Sequence, residues 1–366
     1  NIFRKGYQWP FHATRMLDFG SSLVDLAIAR ETAAGRRVFM DFNRNPLAVT
    51  GDEGFSLDRL DADVRAYLGA AGAVQALPID RLRHMNPLSI ELYRRYKIDI
   101  ATEPLEFAVN NQHMNGGVAV DIWGRSSHPA IYAVGEAAGT HGVTRPGGAA
   151  LNAGQVFGTR AAEHIAATLT EHEAAEPGCG ADAALEAVLA VLGAEGAPTV
   201  DAVRDEVQAR MSDAAGILCD AATVRDALQA ARALNDRIGR QGIAIARPSE
   251  AARAVQWRQM ALASEAVLAA LDHYIGSGGG SRGARAILDP QGEGVPMSAQ
   301  GPLEGVRFRA ERAVDRARQI VIRHRDGGFC IDERQIRPID QSARPFFERD
   351  WPAWLTGAIY RQGEGV

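Results

Sequence analysis

The sequence predicts an α/β fold for its first half and an all-α one for most of its second, on three observations. Short apolar runs closed by turn residues recur at 36–42, 103–110, 116–124 and 130–136, between segments of helical periodicity. Residues 181–275 are helical in pattern almost throughout and rich in Ala, Leu and Arg. A passage with five glycines, "GEAAGTHGVTRPGGAALN" at 135–152, stands between one apolar run and a helical stretch.

Taken in order, "GSSLVDLAIARETAAG" reads as a helix that Ser21 or Ser22 can cap and Gly35 ends. "RRVFMDF" reads as a strand closed by the turn "NRNP". Residues 57–73 and 78–97 read as helices, with Pro87 breaking or restarting the second. "EPLEFAVN", "GGVAVDIWG" and "AIYAVGE" read as three strands, and a helix follows from about Ala149 to Thr168. "EHEAAEPGCGADAA" is a polar linker. Beyond it, three or four amphipathic helices form a bundle, with breaks at "GAEGAPT" and "RQGIAIARPS". "RQIVIRHRDGGFCIDERQI" carries a hairpin signal around "RDGG", and the aromatics of "RDWPAWLTGAIY" are expected to dock the tail on the body.

Composition narrows the function classes. With 40 Lys and Arg against 45 Asp and Glu, the net charge of −5 argues against nucleic acid as the main partner. The cysteines, Cys179, Cys219 and Cys330, are far apart and odd in number. No C-x-x-C pair occurs, so neither a zinc site nor a disulfide framework is supported, and no metal is expected. Single thiols suit a reducing cytosol, so the expected location is cytoplasmic. No run of eighteen apolar residues marks a transmembrane segment.

The glycine passage carries the chemistry. Glycines after a strand and before a helix let backbone N–H groups approach a ligand, at a helix end that favours negative charge. Glu136, at the strand end, can accept hydrogen bonds from hydroxyls of a ribose or ribityl chain, and Arg145 is a fork suited to a carboxylate or phosphate. A glycine-rich crossover loop with a surface arginine is the plain alternative. "GGGSRG" at 278–283 satisfies G-x-G-x-x-G literally but follows a helix, so it reads as a helix-to-helix linker and not as a nucleotide loop.

Residues 112–166 resemble the succinate dehydrogenase/fumarate reductase flavoprotein family, which includes L-aspartate oxidase. That family has a "H-x-x-G-G-(I/V)-x-V-D" strand, a "Y-A-x-G-E" strand end, a "H-G-x-x-R-x-G" loop and an "F-G-x-x-A" helix. All four pieces stand here, in order, in "QHMNGGVAVDIWGRSSHPAIYAVGEAAGTHGVTRPGGAALNAGQVFGTRAAEHIA". More weakly, "PFHATR" is similar to the family's "H-P-T" segment, residues 210–234 to its helical domain, and "GSRGAR" to its "S-R-G-A-H".

The resemblance implies part of an FAD-binding Rossmann-type domain, an inserted α+β capping domain and a C-terminal helical domain. On this reading, residues 1–15 end a first FAD-domain segment, 16–108 form the cap and 109–172 the second FAD-domain segment. Residues 173–290 form the helical domain, and 291–366 a tail with a hairpin. The implied activity is that of an FAD-dependent oxidoreductase moving hydride between flavin and a small carboxylate, with an electron-transfer partner. Gly135, Glu136, Gly147, Gly148, Ala150, Leu151 and Asn152 are the implied cofactor residues. His113 and Arg145 are implied to bind the substrate carboxylate, with His141 close to the flavin and His12 near the same cleft. His84, His128, His164, His172, His273 and His324 have no such context and read as structural.

Two family features are replaced. Leu26 and Ala27 stand where the family often has Thr–Glu, and no "P-R-D" segment supplies the proton-donating arginine, for which Arg44 is the nearest candidate. No strand–G-x-G-x-x-G–helix occurs, so the N-terminal FAD-binding half is expected from a preceding segment or a partner chain, and the chain alone is expected to bind FAD weakly or not at all. The alternatives are an inert fragment and a non-catalytic component that binds flavin or serves assembly.

Overall fold

A computed structural model describes residues 21–47, 54–111, 116–128, 130–143, 149–168, 180–295, 301–325, 327–336 and 346–361 of the chain. The first helix among the described residues, α1 (Ser21–Ala33), ends as its sequence requires, with Gly35 at φ +76°. Its apolar face packs far along the chain. Leu23 and Leu26 share a core with Ala286, Val295, Leu303, Val306 and Phe308, and Arg30 Nη1 donates to the Glu304 carbonyl at 3.0 Å. So α1 lies within the expected 16–108 segment but buries its face against residues 286–308.

The residues after α1 form a small α+β unit. β1 (Phe39–Met40) pairs antiparallel with β2 (Leu105–Glu106), and between them lie α2 (Ala62–Ala70), α3 (Pro78–Met85) and α4 (Pro87–Arg95). Pro78 and Pro87 each open a helix, where a missing N–H costs nothing. Val64, Leu68 and Ala73 form one small core, and Ile79, Ile90 and Ile100 another with Phe42 and Tyr93.

Two of the three expected strands between 103 and 136 are not regular strands. "EPLEFAVN" keeps two residues of ladder as β2, while 117–120 and 130–134 pair only through the isolated bridges Gly117↔Ala138 and Arg125↔Tyr132. A strand is defined by its neighbours' hydrogen bonds, and among the described residues no long strand lies beside these segments. They lead into α5 (Ala149–Thr168).

The helical half follows its patterning. It comprises α6 (Ala181–Leu189), α7 (Val200–Ala214), α8 (Ala221–Gln241) and α9 (Ala251–Gly276). The Thr199 hydroxyl caps α7, accepting from Ala202 N at 3.2 Å, and Asp220 caps α8, accepting from Ala222 N and Thr223 N at 3.1 and 3.0 Å. Val224, Ala227, Leu228, Ala231, Leu234 and Ile238 line one face of α8 at helical spacing and are buried. Burying a side chain the size of Leu or Val contributes about 1.5–3 kcal/mol. Inside this interface Asn235 Nδ2 donates to Glu265 Oε2 at 2.7 Å and Arg258 Nη1 donates to Asn235 Oδ1 at 3.2 Å, so the buried carboxylate is answered by polar partners.

Two-residue strands stitch the helix breaks: β3 (Leu192–Gly193) runs parallel to β5 (Ile243–Ala244), and β4 (Leu218–Cys219) parallel to β6 (Ala286–Gly294), which pairs antiparallel with β7 (Arg307–Phe308). The "GGGSRG" stretch therefore joins a helix to a strand, correcting the helix-to-helix expectation. Its lack of a preceding strand stands. β8 (Arg318–Arg325) and β9 (Gly328–Gln335) form the hairpin read from "RDGG". His273 on α9 meets Glu333 at 2.9 Å and ties the hairpin to the bundle. Among the described residues no helix is long and apolar enough to cross a membrane, and no His, Cys, Asp and Glu cluster could hold a metal ion.

Candidate functional site

The candidate site is built from residues 116–143 and the helix they reach. Asp121 starts it. Its Oδ1 accepts from Trp123 N at 2.8 Å and Arg125 N at 3.0 Å, and its Oδ2 faces Arg125 Nε at 3.2 Å. That turn, with Gly124 at φ +82°, folds residues 121–133 into a ribbon closed by Ala133 N to the Gly124 carbonyl at 2.8 Å.

Val134 leaves the ribbon extended, and Gly135, at φ +64°, turns the chain into a single 3₁₀ turn, Gly135–Ala137. Only glycine enters this conformation cheaply. It also lets the turn press on α5, since a Cβ on Gly135 would stand 3.3 Å from Gly154 Cα. A tighter approach fixes the other side. Val118 N donates to the Ala137 carbonyl at 2.7 Å, and a Cβ on Gly117 would lie 2.4 Å from that same oxygen.

The result places Gly135 and Glu136 one turn along from Ala150, Leu151 and Asn152. Glu136 is exposed, Leu151 is 80% exposed, and Asn152 is exposed beside it. The first-turn N–H groups of a helix lack partners within it and carry its positive end. An acidic acceptor and a helix N-terminus thus stand together at the surface. His141 follows in the same loop and is buried, and Thr140 Oγ1 donates to the Gly135 carbonyl at 3.3 Å.

Arg44 sits elsewhere, in the turn after β1. Its exposed guanidinium pairs with Asp41 at 2.7 Å. The Asn43 backbone N–H, with Arg44 behind it, holds the Asp41 carboxyl below its usual range. His12, His113, Arg145, Gly147 and Gly148 lie outside the described residues.

Sequence reasoning missed what lies behind the turn. Trp123 is buried and stacks on His164 of α5 with ring centroids 5.3 Å apart at 20°, while the Tyr132 hydroxyl meets His164 Nδ1 at 2.9 Å. Burial foremost, and then the Arg125 charge, hold the His164 imidazole below its usual range, against the pull of Asp121. The folded state therefore keeps His164 neutral where an unfolded chain takes up a proton. Its contribution to stability is complete above the unfolded value of 6.5 and falls as the pH drops through that value toward the lower folded one. Urea unfolding at pH 7.5 and 5.5 is expected to show a loss of stability on acidification that shrinks in His164→Phe, which keeps the ring and removes the titration. Equal losses in the two proteins sink this assignment.

Neither described cysteine takes part, and Cys179 lies outside the described residues. Cys219 is buried beneath α8, and that burial pushes its thiol up to about 11, which makes it inert. Cys330 is exposed on β9.

No family model matches the chain. Individual relatives do. The chain is 48% identical over 65 residues to part of the fumarate reductase (CoM/CoB) of Methanothermobacter marburgensis, covering 18% of this chain and 12% of that polypeptide. It is 32% identical over 101 residues to the L-aspartate oxidase of a Nostoc species, covering 27% and 18%. It is 31% identical over 168 residues to the fumarate reductase flavoprotein subunit of Mycobacterium tuberculosis, covering 43% and 29%. Among solved structures it is similar in fold to a FrdA variant of the E. coli quinol fumarate reductase, with a TM-score of 0.56 at 19% identity, over 87% of this chain and 57% of that one. The Mycobacterium smegmatis Sdh1 complex in its apo form gives 0.55 at 20% identity, over 84% and 51%. The aligned segments thus span less than a third of those curated relatives, and the chain spans about half of those solved ones.

Proposed function

We propose that this chain, similar in sequence and fold to part of the fumarate reductase and succinate dehydrogenase flavoproteins, is the cofactor-edge and substrate-facing part of an FAD-dependent oxidoreductase acting on a small dicarboxylate. The observation that carries the reading is the exposed Glu136 carboxylate on a glycine turn pressed against the first turns of α5. The names of its relatives, fumarate reductase and L-aspartate oxidase, share four-carbon dicarboxylate chemistry.

The residues present fit FAD. Gly117, Gly135 and Gly139 leave no side chain between the turn and its neighbours, Glu136 offers an acceptor for cofactor hydroxyls, and α5 offers the positive end of its helix dipole. Bound there, FAD supplies hydride transfer. The chain's own work is electrostatic. The turn at Ala150, Leu151 and Asn152, with Gly147 and Gly148 before it, favours negative charge at the electron-rich edge of the cofactor. Arg145 and His113 hold a substrate carboxylate by charge-assisted hydrogen bonds, with His12 and His141 at the same cleft. The α+β unit after α1 covers that cleft and excludes water, with Arg44 as its candidate proton donor.

The test is FAD binding by fluorescence quenching to the full chain. Glu136→Ala is expected to weaken it about tenfold or more, as loss of a charged acceptor does. Equal affinity of wild type and variant overturns the reading; where the chain alone binds too weakly to titrate, the same comparison is made with the N-terminal FAD-binding half supplied. A second reading, a flavin-binding or assembly part without chemistry of its own, is favoured by the engagement of Arg44 with Asp41. Turnover of a dicarboxylate by the FAD-loaded chain decides between them.

A further inference from the structure

We propose that residues 346–361 form a strap that positions the Glu136 turn through α5, with Glu163 as the positioning residue that fastens it. Glu163 Oε2 accepts from two side chains of the C-terminal segment, the Tyr360 hydroxyl and Trp354 Nε1, the latter at 3.3 Å. Tyr360 is 8% exposed, whereas Phe347, Trp351 and Leu355 of the same segment face solvent. The segment is thus held at its Glu163 end.

That end is stacked into the site. The Tyr360 ring lies 5.2 Å from Trp123, whose other partners are the His164 ring and the Arg160 guanidinium, 5.1 Å from its centroid. Trp123 Nε1 is buried without a hydrogen-bond partner among the described residues, so within them stacking and the Arg160 guanidinium hold the ring. Arg160, Glu163 and His164 fall at i, i+3 and i+4 and so share one face of α5. Through them α5 grips the 121–133 ribbon and the C-terminal segment together. Two residues beyond the ribbon, Gly135 meets α5 again at Gly154. Ribbon, helix and strap form one closed set of contacts, and the turn at 135–137 is part of it.

The strap's bearing on cofactor residues rests on the function proposed above, but its existence is read without flavin. Hydrogen exchange of the full-length chain, followed by mass spectrometry, provides the test. Glu163→Ala is expected to speed exchange about tenfold in 121–139 and 149–160 as well as in 346–361, with the helices between 200 and 276 as internal reference. Glu163→Gln, which keeps an accepting oxygen, is expected to restore protection, and Leu355→Ala, at a solvent-facing position of the same segment, to leave 121–139 and 149–160 unchanged. Faster exchange confined to 346–361, or failure of Glu163→Gln to restore protection, overturns the strap. If Glu163→Ala unfolds the reference helices, the milder Tyr360→Phe decides by the same pattern. Loss of strap protection with unaltered FAD binding in Glu136→Ala defeats the functional reading and leaves the strap intact.

Discussion

Phe308→Ala is expected to destabilise the chain by about 3–5 kcal/mol, the usual cost of truncating a fully buried aromatic. Phe308 is 1% exposed on β7 and stands where Leu23 and Leu26 of α1 meet Ala286 of β6. The cavity opens between elements that sequence separates widely, so little local structure can close over it. Urea unfolding gives the measurement, with an unchanged slope and a lower midpoint as the expected result. A loss below about 1 kcal/mol would falsify the shared core and leave α1 docked by Arg30 and little else.

Arg145→Lys is expected to weaken dicarboxylate affinity about 10- to 100-fold in the FAD-loaded protein, since an ammonium cannot replace a bidentate fork. Dicarboxylate titration of the flavin spectrum reads it directly. Superimposable titrations for wild type and variant remove Arg145 from the carboxylate clamp, while the flavin contacts at Glu136 and the α5 turn stay separately testable.

The two halves of the molecule were unequally legible in the sequence. The face of α8 from Val224 to Ile238 repeats at helical spacing and its end falls in the break read at "RQGIAIARPS", but the break at 215–220 that separates it from α7 was not among those read from the pattern. The hairpin around "RDGG" is a local signal. Residues 117–120 and 130–134 have strand composition, but a ladder is a property of pairs, and their alternating apolar residues do not say what lies beside them. The two-residue strands β3, β4 and β5 are too short to leave any period.

At the site, the turn at Gly135 and Glu136 was legible as a turn, because a glycine between an apolar run and a helical stretch leaves a mark in local sequence. The packing of Trp123, His164 and Tyr360 was not. His164 read as a structural histidine, which its burial supports, but nothing in its neighbours points to a tyrosine near the C-terminus. Contacts made by single side chains across the whole chain have no period to find. The α1 contact with Phe308 was hidden for the same reason, since an amphipathic helix announces an apolar face and not its partner.

That contact has a mechanical consequence. If the unit between β1 and β2 swings over a cleft, α1 cannot travel with it unless its apolar seal on residues 286–308 breaks. The pivot on the entry side then falls just after α1, in the few residues 34–38, where Gly35 supplies the left-handed backbone and no side chain is buried. Any such moving body would be shorter than its sequence boundaries suggest, and the helix that leads into it would belong to the frame.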